Sequence, residues 1–248
     1  FDIPAWRRPT GLPTLSAARF ALRPEPHIVV PVVRLQTERN DGPPPPSDQS
    51  AVLLVSHRGA DRAFARPTDP NDPRHSAFAR DLPERFAGAQ LYGCDVRGTG
   101  ATEPGTAGPG EALKPYGSGY MYSAYARMWN EPILAGRVND VLAAWAFMAS
   151  FHAGELHLCG DRWGAVPAAL AAALLLEEDR RPTSVTLSGL PPSWTAIVEN
   201  DRSDWPYALL PSGILNHLDL PDLLARLRSQ LGDRLTVETP ASVTGMAA

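Results

Sequence analysis

The sequence predicts an α/β fold, one domain built on a mainly parallel sheet with helices covering both faces. Three observations carry this. Short apolar runs recur at "AVLLVSH" (51–57), "AQLYGCDVRG" (89–98) and "ELHLC" (155–159), and strands read that way when both of their faces are covered. The segment "GRVNDVLAAWAFMASF" (136–151) has helical periodicity, with Val138, Leu142, Trp145 and Met148 on one face. From residue 136 onward, helix and strand alternate, which is the grammar of parallel crossovers.

The elements follow in order. Residues 1–26 are proline-punctuated and polar and read as an arm over the domain. "HIVVPVVRLQTER" (27–39) alternates and is β-branched, so one or two early strands fit. "NDGPPPPSDQ" (40–49) reads as a loop of polyproline character. After the strands at 51–57 and 89–98 comes a glycine-rich loop, then the helix at 136–151 and the strand "ELHLC". Helix "AVPAALAAALLLEED" (165–179), strand "SVTLSG" (184–189), helix "LPDLLARLRSQL" (220–231) and strand "RLTVETP" (234–240) complete the pattern. The division is an arm with early strands over 1–50, a core over 51–240 and a tail over 241–248, one domain overall.

The bulk numbers exclude several classes. At 248 residues and 44 % hydrophobic the chain can bury a real core. A net charge of -4 supplies no basic field for nucleic acid or an anionic membrane. No window holds the ~20 consecutive apolar residues of a membrane span. There is no charged start, apolar core and cleavage site at the N-terminus. The chain opens on Phe1, which fits a mature form or an excised fragment, so secretion stays open. Cys94 and Cys159 make neither a disulfide framework nor a zinc site and read as buried thiols. No metal site and no cofactor are expected: Gly98-x-Gly100 lacks the third glycine of a dinucleotide loop, and Asp69, Asn71 and Asp72 lack the other ligands of a calcium loop.

In a parallel sheet, ligands sit at the carboxyl ends of the strands. The site-lining candidates are therefore His57, Arg58, Gly59, Asp95 and Arg97, with Gly160, Arg162, Trp163 and Gly164 where "ELHLCGDRWGAVPAAL" (155–170) turns from strand to helix. Ser188 ends the next strand and is an irregular catalytic candidate; His217, just ahead of a helix, reads better as local structure. "PYGSGYMYSAYARMWNEP" (115–132) crowds Tyr116, Tyr120, Tyr122, Tyr125 and Trp129 together. Aromatic faces stack on sugar rings, so Tyr116, Tyr120, Tyr122 and Trp129 are candidates for carbohydrate contact. Packing of the segment onto the core through the same rings is the competing reading.

A strand, G-x-x-x-G and a helix, with His57-Arg58-Gly59 upstream and the Arg-Gly turn of "LYGCDVRGTGATEP" (91–104), resembles the α/β-hydrolase superfamily. "GYMYSAYARMWNEPILAGRVNDVLAAWAFM" followed by "LHLCGDRWGA" is similar to its acetyl xylan esterase-like branch, some members of which carry two hydrolase domains, the second degenerate. The resemblance implies an α/β-hydrolase-like sheet that stops before the family's final strand, with one strand between those ending at Cys94 and Cys159, ~10 Å apart and too far to bridge. It implies a triad of Ser, Asp or Glu, then His. Here Arg162 stands at the serine position, Pro240, Ala241 and Ser242 follow the strand that should precede the acid, and no histidine follows His217. Arginine has no lone pair to attack with. The expectation is a carbohydrate-esterase relative, silent or impaired by itself, acting as structural or carbohydrate-binding partner of an active esterase domain of the same parent chain. Secretion or a periplasmic location is favoured by the resemblance alone. A second register lays "CGDRWGA" on a glucuronoyl-esterase-like elbow, which makes Asp161 the nucleophile of an active carboxylic-ester hydrolase.

Overall fold

The computed structural model describes residues 2–3, 16–37, 40, 42–64, 77–103, 117–179, 181–203, 205–238 and 242. Tyr116, Asp69, Asn71 and Asp72 lie outside the described residues. Among the described residues, eight strands form one sheet. They are β1 (Asp2–Ile3), β2 (Ser16–Glu25), β3 (Ile28–Gln36), β4 (Ala51–Ser56), β5 (Gln90–Cys94), β6 (Leu156–Asp161), β7 (Ser184–Ser188) and β8 (Leu235–Glu238). Their spatial order is β1-β2-β3-β5-β4-β6-β7-β8. The first three run antiparallel to their neighbours, and β5, β4, β6, β7 and β8 are parallel.

Helices α1 (Ala60–Phe64) and α2 (Ala77–Arg85) cover one face of the sheet. The other face carries α4 (Ile133–Ala149), α5 (Ala165–Leu175) and α7 (Leu220–Leu231). Helix α3 (Gly117–Met128) precedes α4, and α6 (Trp194–Glu199) follows β7. Every residue of β4 is buried. Leu53 and Val55 enter the core under α4 and α5, while Val52 and Leu54 meet Phe64, Phe78 and Leu82 from α1 and α2. That double burial is why its sequence is an unbroken apolar run instead of an alternation.

Helix α5 is apolar all round and rich in alanine, so it can lie almost on the backbone of β6. Helix α7 starts where Asp219 accepts the Leu220 N–H at 2.6 Å in a capping box with Asp222, and the same carboxylate accepts the Trp194 N–H of α6 at 2.6 Å. One short acidic side chain thus fixes the start of two helices.

Two sequence expectations change. Residues 16–25, read as part of an arm, form β2, a full strand of the sheet hairpinned to β3 through His27 at φ 68°. Its Ala17, Ala18 and Phe20 are buried, but interleaved arginine and proline hide the alternation. Helix α4 begins at Ile133, just after Pro132, three residues ahead of the predicted start. Cys94 and Cys159 are buried free thiols, and β4 lies between their strands.

Candidate functional site

Strand β6 ends at Asp161, and the chain turns through Arg162–Gly164 before α5 begins at Ala165. Arg162 has φ 55°. A left-handed backbone at a residue with a Cβ costs ~1–2 kcal/mol, and such a strained strand-to-helix apex is the geometry that exposes the reacting residue of a nucleophile elbow. The flanking glycines are obligatory. A Cβ on Gly160 would sit 2.5 Å from Ala165 Cα, and one on Gly164 would sit 2.5 Å from the Val55 carbonyl oxygen. Gly189, after β7, closes on Arg162 from the other side, its would-be Cβ 3.1 Å from Arg162 Cα. The apex is therefore wedged between the ends of β4 and β7.

The apex residue is Arg162, not Asp161. Asp161 is 1 % exposed, with extended backbone, and lies on the α1/α2 face in register with Ser56 and Ser188. Its Oδ2 accepts the Ser56 hydroxyl at 3.2 Å and faces His57 Nδ1 at 3.5 Å, too far for a strong hydrogen bond. The register that makes Asp161 the nucleophile therefore assigns that role to a carboxylate that is buried on the α1/α2 face. Ser188 ends β7 half-buried, beside Asp161 across the ladder.

His57 is 7 % exposed, and its Nε2 accepts from Arg58 Nε at 3.1 Å. Burial pushes its pKa below the ordinary histidine value; Asp161 pulls upward, while Arg162 and Arg58 lower it further. Its Nε2 lone pair is thus engaged by the neighbouring guanidinium.

The other candidates at the strand ends are tied into the scaffold. Asp95 accepts the Ala60 N–H at 2.6 Å and the Ala101 N–H at 2.8 Å, pinning α1 to the turn after β5. Burial raises its pKa in spite of those bonds. A Cβ on Gly59 would stand 2.7 Å from the Asp95 carboxylate, which accounts for the glycine there. Arg97 donates to Asp140 through Nε at 2.9 Å and Nη2 at 2.7 Å, and to Glu25 at 2.7 Å. Burial works against the Arg97 charge, but these two partners outweigh it and hold its pKa above the usual arginine value. Both side chains serve architecture before any ligand.

Sequence reasoning missed Arg137 and Asp140, two charged residues inside the apolar pattern of α4, both buried. Their position within that pattern was the available signal. Arg137 donates to the Arg97 carbonyl at 3.0 Å, and its guanidinium lies 4.7 Å from the Trp163 ring. Burial lowers its pKa to about 10. Glu238, the last residue of β8, was also passed over; it pairs with Arg85 of α2 at 2.5 Å. His217 is exposed ahead of α7, and Tyr120 packs on Tyr207 with ring centroids 5.3 Å apart. Tyr122, Tyr125 and Trp129 stay exposed along α3 and its end.

Among the described residues, no three His, Cys, Asp or Glu side chains converge as metal ligands, and no helix is long and apolar enough to cross a membrane. What the turn brings together is a strand end, an arginine at its apex and the start of α5.

No protein-family model matches the sequence, and no curated protein matches it. Solved structures do match. A candidate acetyl xylan esterase from Bacteroides fragilis superposes with a TM-score of 0.67 at 12 % identity, over 96 % of this chain and 69 % of that one. An acetyl xylan esterase from Paenibacillus sp. R4 aligns with a TM-score of 0.44 at 16 % identity, over 76 % of this chain and 52 % of that one. A cold-adapted esterase from an Arctic intertidal metagenomic library gives 0.44 at 15 % identity, over 93 % and 86 %. The strand order and the Bacteroides superposition agree: the chain has an α/β-hydrolase fold, shared with that candidate acetyl xylan esterase.

Proposed function

We propose that this chain is a hydrolase-fold domain related to carbohydrate esterases that does not turn over esters by itself. In this reading it serves as the structural or carbohydrate-binding partner of an active esterase domain of the same parent chain. One observation carries the proposal: the strained apex, the position from which a serine would attack, holds Arg162. A guanidinium is protonated at any working pH and has no lone pair. The neighbouring His57, held by Arg58, could not activate a hydroxyl placed there.

The test is turnover of p-nitrophenyl acetate and of acetylated xylan by the purified chain, expected at the buffer rate. Arg162→Ser is expected to remain inactive, because a serine without a general base is a weak nucleophile. Turnover well above buffer that is lost in Asp161→Asn, with the melting temperature intact, would overturn the proposal in favour of an ester hydrolase using Asp161.

A further inference from the structure

A groove of about 630 Å³ runs between α3 and the start of α4, and none of residues 160–164 lines it. Its wall is aromatic. Tyr122 is 52 %, Tyr125 49 % and Trp129 75 % exposed. Their positions put them on neighbouring turns of one helix face, spanning about 10 Å from Tyr122 to Trp129, the length of a disaccharide. The corner is rigid. Asn130 sits at φ 58°, the Asn130 N–H bonds the Arg127 carbonyl at 3.0 Å, and the Glu131 N–H bonds the Ala126 carbonyl at 2.8 Å. That paired pattern is a Schellman cap, and it holds Trp129 at the end of the helix, facing water.

The floor is polar and pre-organised. Glu25 Oε1 accepts from Arg97 at 2.7 Å and from Asn139 Nδ2 at 2.8 Å. The Arg97 bond, then the Asn139 bond, lowers the Glu25 pKa, so the floor keeps its carboxylate. Glu131 adds a second carboxylate at the rim, and the Arg97 charge is shared between Glu25 and Asp140. The groove thus combines flat apolar faces with fixed acceptors and an anionic bias.

We propose that this groove binds a neutral saccharide of all-equatorial pyranose units, with Tyr122, Tyr125 and Trp129 stacking on the sugar faces and Glu25 and Asn139 reading the hydroxyls. Such a ring presents axial C–H groups on its faces and hydroxyls at its rim, which matches an aromatic wall over a polar floor. The two carboxylates repel acidic sugars. A protein partner would bury the Glu25 carboxylate under apolar surface at a desolvation cost that a hydroxyl-bearing ligand avoids. The inference rests on the carbohydrate-binding side of the function proposed above and is independent of whether the elbow is silent.

The experiment is a tryptophan-fluorescence titration of the full chain with cellohexaose and xylohexaose, with oligogalacturonate as the acidic probe and sedimentation run in parallel. The expected result is saturable binding of a neutral oligomer and none of oligogalacturonate. Trp129→Ala, confirmed by calorimetry because it removes a reporter, should weaken binding at least tenfold, and Tyr122→Ala severalfold. Met128→Ala, exposed but outside the groove, should bind as the parent does. Absence of saturable binding, equal affinity in Trp129→Ala, or equally tight binding of oligogalacturonate would overturn the proposal. So would self-association that Trp129→Ala abolishes, which would assign the face to a second copy. Ester turnover by the same preparation would defeat the silent elbow and leave the groove untouched.

Discussion

Replacing Arg97 by methionine isolates the charge pair that joins the strand ends to α4. Asp140 has a fully buried side chain, 0 % exposed, and takes Arg97 Nε at 2.9 Å and Nη2 at 2.7 Å. Removing one partner of a buried pair costs about 3–5 kcal/mol, because the other charge is stranded. Two features hold the expected loss near the lower end, about 3 kcal/mol. Asp140 keeps the backbone N–H of residue 97 at 2.8 Å, and the Arg137 guanidinium lies close enough to interact with its charge. At ~2–4 °C per kcal/mol for a domain of this size, the melting temperature should fall by roughly 6–12 °C. Urea unfolding followed by circular dichroism measures the free energy directly. Adding Asp140→Asn to Arg97→Met should recover much of the loss, since a neutral amide is far cheaper to bury, and the double-mutant cycle reads the coupling. Glu25→Gln removes the more exposed partner of Arg97 and should cost under about 1 kcal/mol. A loss below about 1 kcal/mol for Arg97→Met, or a double variant as unstable as the sum of the singles, would refute the reasoning.

Two further outcomes follow from the same packing. Gly164→Ala and Gly160→Ala each drive a Cβ into backbone at 2.5 Å, so each should lose about 1–3 kcal/mol or more, whereas Gly119→Ala in α3 meets nothing and should be neutral or stabilising by up to ~1 kcal/mol; equal melting temperatures for all three would refute the close packing of the turn. Burial depresses the pKa of both His57 and His157 below the ordinary value, so the unfolded chain binds more protons as pH falls through ~6.5. Stability should therefore be full above that pH and decline toward pH ~5.5, and a urea midpoint that stays flat or rises on acidification would contradict it.

The period and composition of the chain were enough to place the parallel strands and helices α4, α5 and α7, but not α2 or α3. Runs such as Ala51–Ser56 are apolar on both faces because both faces are covered, and that requirement is local to each strand. The turn at Gly160 and Gly164 was legible for a similar reason: glycine is demanded where a Cβ would meet backbone, and only a few turns demand it twice at this spacing. β2 was hidden, because its pairing with β3 supplies what its own arginine- and proline-interrupted pattern does not advertise.

Tertiary structure alone decided the roles of the charged residues. Asp95, Arg97 and Asp161 all occur at strand ends, where a ligand site was expected, and sequence position does not say where a side chain points. Packing turned Asp95 onto two backbone N–H groups, Arg97 onto Asp140 and Glu25, and Asp161 under the turn toward Ser56. It also separated the aromatic cluster, sending Tyr120 onto Tyr207 and leaving Tyr122, Tyr125 and Trp129 to line a groove. Burial of a charge or a ring depends on partners distant in the chain, and those distances exist only after the sheet has closed.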